Sequence, residues 1–247
     1  MSFAANRLEA RSSDTRVEPR TRFFLGVAIA MLIVNLVGFA PTLYLRPFFD
    51  VPAIPGYLLL HGALGTAWFA ILVVQTALIA NRRVGSHRQL GWVGTALAAI
   101  VLATGMYTSA NMVPRNVALG LTSEADLTLY SVVTAGDTAA FIVFPTLVLL
   151  AVVFRRRTDV HKRLMVVASL SILGPAIARI ASWYGPFPNP VSAALIYGFI
   201  GSLLVHDWRS RGRPHIATVL GVVLFLAVNV GMQVSGIGRV LVEQRMP

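Results

Sequence analysis

The sequence predicts an all-α, polytopic membrane helix bundle of about seven transmembrane helices, with the N-terminus in the cytoplasm. Three observations predict it. Of 247 residues, 56% are hydrophobic and only 13% are charged, about half the charged share of a soluble domain. Several apolar runs exceed the ~18 residues that mark a membrane-spanning helix. And the basic residues fall in alternate connections, on one side of the bundle.

The first span is expected over residues 23–45, after a polar, basic tail of 22 residues. No cleavable signal peptide is expected there, because the first apolar run is too long for a signal-peptide core. Further spans are expected at 56–80, 89–110, 128–154, 162–184, 190–207 and 215–236. The transmembrane domain thus covers 23–236, with a short extracytoplasmic tail at 237–247. Connections are short and several carry Pro or Gly, as in "RPFFDVPAIPG", "YGPFPNP" and "RSRGRP".

The charges set the orientation. Alternation along seven spans gathers 16 of the 21 basic residues on one side. They are five tail arginines; Arg82, Arg83 and Arg88; Arg155, Arg156, Arg157, Lys162 and Arg163; and Arg209, Arg211 and Arg213. Arg46, Arg115, Arg239 and Arg245 fall on the other side, and Arg179 lies inside a helix. The positive-inside rule then places the N-terminus inside and the C-terminus outside. The inner face carries the whole formal charge of +11. That suits anionic lipid headgroups, and nucleic acid is not needed to explain an isoelectric point near 11.3.

Polar residues inside the spans are the candidates for function. His61, Trp68 and Gln75 are seven residues apart, so they form one stripe of the second helix. Gly65 joins that stripe, which should therefore face other helices and not lipid. Asp137 lies about 14 Å from the outer end of the fourth span, near the midplane, and Arg179 about 7 Å from the outer end of the fifth. A buried carboxylate and guanidinium offset each other's desolvation, either as a structural ion pair or as part of a pocket. With His61, Trp68, Gln75, Tyr107 and Asn229 they make a candidate outer-half pocket for a small amphiphile, quinone or lipid.

Four histidines, His87, His161, His206 and His215, fall at the inner ends of helices. Their neighbours are arginines, which repel free cations, and no helix offers an i, i+4 pair of histidines, so no metal site is assigned. Anionic partners fit better: lipid phosphates, or the propionates of a haem b whose iron takes His87 and His161. In that reading Arg88, Lys162 and Arg163 neutralise the propionates, and the protein is an oxidoreductase. The plain alternative is four interfacial histidines. His161 and Arg179, 18 residues apart, are expected on one face of a single fifth helix. There are no cysteines, no Walker loop, no HExxH, no Gly-x-Ser-x-Gly and no lysine in the seventh span for a retinal.

His61-x6-Trp68-x6-Gln75, His87-Arg88-x-x-Gly91, "HKRLM" from His161 and Arg179 together resemble a family of uncharacterised bacterial multi-pass membrane proteins. The resemblance covers most of residues 56–185. It implies a bundle in the bacterial cytoplasmic (inner) membrane and no particular activity. The chain is more loosely similar to b-type cytochromes of the ascorbate- and ferric-reducing kind. It departs from them in having one outer-half histidine, His61, where they have histidine pairs on both sides.

Overall fold

The computed structural model describes residues 19–51, 53–186 and 188–246, so most of the expected basic tail, with Arg7, Arg11 and Arg16, lies outside the described residues. Among the described residues every regular element is helical. Among the described residues six helices are long and apolar enough to cross a membrane, and seven if a bent pair counts as one span. The protein is an integral, multi-pass membrane helix bundle.

Helix α1 covers Pro19–Phe39 and widens into a π turn at Ala40–Tyr44. Pro41 sits in that turn and has no N–H to donate, so the ladder slips by one residue and Leu45 N–H bonds Ala40 O at 2.8 Å. Helix α2 is Gly56–Ala80, as expected. Helix α3 is longer than expected, Val84–Ala118 against 89–110. It therefore takes His87 and Arg88 into its first turns, and continues through Pro114. Helix α4, Glu124–Val153, opens on a capping box between Ser123 and Asp126.

The expected fifth span is two helices, α5 (Thr158–Ser171) and α6 (Gly174–Ser182), bent by 46°. The cause is Pro175, whose ring would strike the carbonyl four residues back and which cannot donate to it. The five-turn argument that aligned His161 with Arg179 on one straight helix is corrected by this break. Helix α7, Pro190–Arg211, starts on an Asn189 cap and stops at Gly212, whose φ of 73° suits glycine. Helix α8, Ile216–Val234, is capped by the His215 ring. The segment expected as a plain tail contains a further helix, α9 (Ile237–Glu243).

The core lies where α1, α2, α4, α5 and α6 meet, around Met31, Phe69, Phe144, Leu147, Leu170 and Ile177. Lipid is as apolar as leucine, so helix association here depends on close packing and internal polar bonds. Two glycines make that packing possible. Gly38 in α1 lies against the Ala176 backbone in α6, and Gly238 in α9 against the Ser131 carbonyl in α4. Pulled in this way, α9 seals a second small cluster of Val113, Tyr130 and Val242.

Candidate functional site

The α2 stripe does face other helices. His61 Nδ1 is 2.9 Å from Thr104 Oγ1 of α3. Trp68 is buried, its indole N–H donates to Ser169 Oγ of α5 at 3.1 Å, and its ring meets Phe144 of α4 edge-on. Gln75 points toward Gly91 of α3. One helix thus supplies a polar contact to a neighbour at two levels of the bundle and turns Gln75 toward α3 at a third.

The outer-half residues are distributed more widely than the sequence suggested. Asp137 is partly buried, within hydrogen-bonding reach of the Ser109 side chain. Arg179 feels the Asp137 charge, but the two form no close ion pair among the described contacts. Arg179 instead donates to Pro175 O at 3.0 Å and lies over the Phe39 ring at 4.4 Å. The second cation near Asp137 is Arg245, which reaches from beyond α9 to donate to Ser109 O at 3.1 Å. His61 is about one turn nearer the arginine-rich end: it packs on Gly105 beside Phe141, each four residues from Ser109 and Asp137 respectively. Tyr107 is 57% exposed and meets Tyr57 edge-on, away from Asp137. Asn229 donates to Phe225 O in its own helix at 2.8 Å. Of the seven expected residues, His61 from α2 and Asp137 from α4 lie about one turn apart along the α3 surface without touching, Arg179 comes within electrostatic range, and Trp68, Gln75, Tyr107 and Asn229 lie elsewhere.

At the arginine-rich end the structure brings two histidines together. The rings of His87, in the first turn of α3, and His161, in the first turn of α5, have centroids 6.3 Å apart and planes at 85°. His161 Nδ1 is 2.8 Å from the carbonyl of Ala151. A carbonyl only accepts, so Nδ1 holds the proton and Nε2 the lone pair. His87 bonds the backbone of Gln75, and its Nδ1 is buried without a partner. Gln75 Oε1, on the neighbouring side chain, is likewise buried without a partner. Each imidazole is thus anchored on backbone, and His87 Nδ1 is left over; metal-ligating histidines are also held by a backbone or carboxylate partner on the other nitrogen.

The spacing limits what could sit between them. With metal–imidazole bonds of about 2.0–2.1 Å, rings at this spacing would leave room for no more than one metal ion between them. Among the described residues no group of three or more His, Cys, Asp or Glu gathers as a metal site. Two imidazoles alone cannot complete a zinc site, so a metal held here would need a group that brings its own ligands, as a haem does.

The charged surroundings differ from expectation. Arg163 does not face the histidines. It is 2% exposed and pairs with Asp207 of α7, whose carboxylate also accepts from Thr218 Oγ1 at 2.6 Å and from His215 N–H at 3.1 Å. Lys162 pairs with Asp159 at 2.8 Å. Arg88 remains exposed beside His87, and Arg155 lies over the Trp92 ring at 5.9 Å. His206 stacks on Phe23 of α1, and His215 caps α8. Sequence reasoning missed the Arg163–Asp207 pair and the Arg245 contact. The only signal for the first was a charged residue at the end of each of two spans.

No family model, curated protein or solved structure matches the chain. The site is therefore read from its own geometry.

Proposed function

We propose that the protein is a haem-b-carrying oxidoreductase of the bacterial cytoplasmic membrane, N-terminus inside, in which His87 and His161 would hold one haem iron. The observation that carries this reading is the pair itself: rings 6.3 Å apart and nearly perpendicular, with His161 anchored on the Ala151 carbonyl and His87 Nδ1 unpartnered. The backbone anchors fix the tautomer and aim of each ring before any ligand arrives. A bound haem would supply one-electron chemistry. The chain's own residues would hold the ring nitrogens at the iron, and Arg88 and the arginines at 155–157 would balance the propionates at the membrane surface.

The test is the absorption spectrum of protein purified from haem-replete cells. A Soret band lost in both His87→Ala and His161→Ala supports the reading. A colourless preparation contradicts it.

A second reading places a small amphiphile or quinone in the outer half. What favours it is the seam where His61, Thr104, Ser109 and Asp137 follow one another within about two turns. A quinone photoprobe that labels this seam in wild type, and fails to label Asp137→Asn, would support it. Labelling spread evenly over the lipid-facing surface would sink it.

A further inference from the structure

Helices α1 and α7 run side by side at the arginine-rich end without closing on each other. Between them is an open groove of about 460 Å³, floored and walled by Phe23, Gly26, Ala30, Ala194, Gly198 and Ser202. It is apolar throughout. Its one hydroxyl, on Ser202, already donates to Phe199 O at 2.8 Å. A Cβ built on Gly26 or on Gly198 meets nothing within 4 Å, so the space is open because these two positions carry no side chain. From Phe23 to Ala30 the groove runs about 10 Å along α1, two helical turns.

One end of it is charged. Arg22 immediately precedes Phe23 and is exposed. Arg209 is exposed too and follows Ser202 by seven residues, which puts it on the same face of α7 two turns nearer the surface. Phe23, stacked on His206 of α7, lines the groove at that end. An apolar slot at acyl-chain depth that opens under two arginines complements a molecule with an anionic head and a hydrocarbon tail.

The geometry points to a binding site for one anionic phospholipid, its acyl chain between α1 and α7 and its phosphate on Arg22 and Arg209. The inference is independent of the haem reading, since neither histidine of the pair lines the groove. An acyl chain fits this site better than a helix from a second copy. The cationic mouth calls for an anion, and that end of the chain is the basic one, so a second copy would bring like charge.

Native mass spectrometry of the full chain in detergent tests it, with phosphatidylglycerol and phosphatidylcholine of identical acyl chains as probes. Wild type is expected to retain phosphatidylglycerol in preference, by about fivefold for each arginine engaged. Gly26→Leu and Gly198→Leu should each remove the retained lipid while the protein stays monodisperse. Arg22→Gln with Arg209→Gln, both on the surface and harmless to folding, should bring phosphatidylglycerol down to the phosphatidylcholine level. Three results overturn the inference: equal retention of both lipids by wild type, unchanged retention in a folded glycine-to-leucine variant, or a dimer that the same variant abolishes with lipid retention unaltered. Should both leucine variants fail to fold, the arginine pair decides alone.

Discussion

Arg163 and Asp207 form an ion pair sealed inside the bundle, with side-chain exposures of 2% and 1%. Arg163 Nε donates to both carboxylate oxygens, at 2.9 and 3.2 Å, and its Nη1 to Asp159 O at 2.8 Å. The pair ties α5 to α7, and through Thr218 and the His215 N–H it ties both to α8. Removing one partner leaves the other charge buried and unmatched, so Arg163→Met and Asp207→Leu should each cost about 3–5 kcal/mol, with the double variant recovering most of the loss. Unfolding in mixed micelles measures this. Single variants within about 1 kcal/mol of wild type would contradict the network's role.

The bundle itself was legible because hydropathy over 18 or more residues is a local property, and so was the inward stripe of His61, Trp68 and Gln75. The partners of that stripe were not. Trp68 finds Ser169 across 101 residues and Arg163 finds Asp207 across 44, and no periodicity encodes such distances. The break at Pro175, which turns α6 so that Arg179 lies over Phe39, needed the fold. The short span of 237–247 hid α9, because seven residues are too few to show a helical period. The pairing of His87 with His161 was legible only as two histidines at one depth.

Gly38 and Gly238 are expected to be sensitive to a single methyl group. A Cβ at Gly38 would stand 2.5 Å from Ala176 O, and one at Gly238 would overlap Ser131 O. Gly38→Ala should lose roughly 1–3 kcal/mol as α1 shifts from α6. Gly238→Ala should release α9 and Arg245, read as faster proteolysis within 236–246. Gly65→Ala, where nothing lies within 4 Å, is the neutral control. Equal behaviour of all three would refute the close-contact argument.

His215 makes the α7–α8 junction sensitive to acid. Its Nδ1 accepts the Ala217 N–H at 3.0 Å, which requires the lone pair there. Burial first, then the Arg163 and Arg211 charges, push its pKa below the ordinary 6.5. The folded state thus resists protonation that the unfolded state accepts. The cap's stabilisation is full above pH ~6.5 and is lost as pH falls through the lower folded value. His215→Asn keeps an N-cap and removes the titration. Melting at pH 8 and pH 5.5 should show a larger drop for wild type than for the variant, and equal drops would remove His215 as the cause.

Orientation can be checked independently of chemistry. With 16 of 21 basic residues on one side, a reporter active only in the cytoplasm should be silent when fused after residue 247 and active when fused after Arg213. Strong signal from the C-terminal fusion would reverse the assignment.

Whether His87 and His161 hold a haem iron, as proposed above, is tested most directly by low-temperature electron paramagnetic resonance of the oxidised protein. An iron held by both histidines would give a low-spin ferric signal, converted to high spin or lost in His161→Ala. An absence of any haem signal from haem-replete cells, or a signal unchanged by both His87→Ala and His161→Ala, would contradict it.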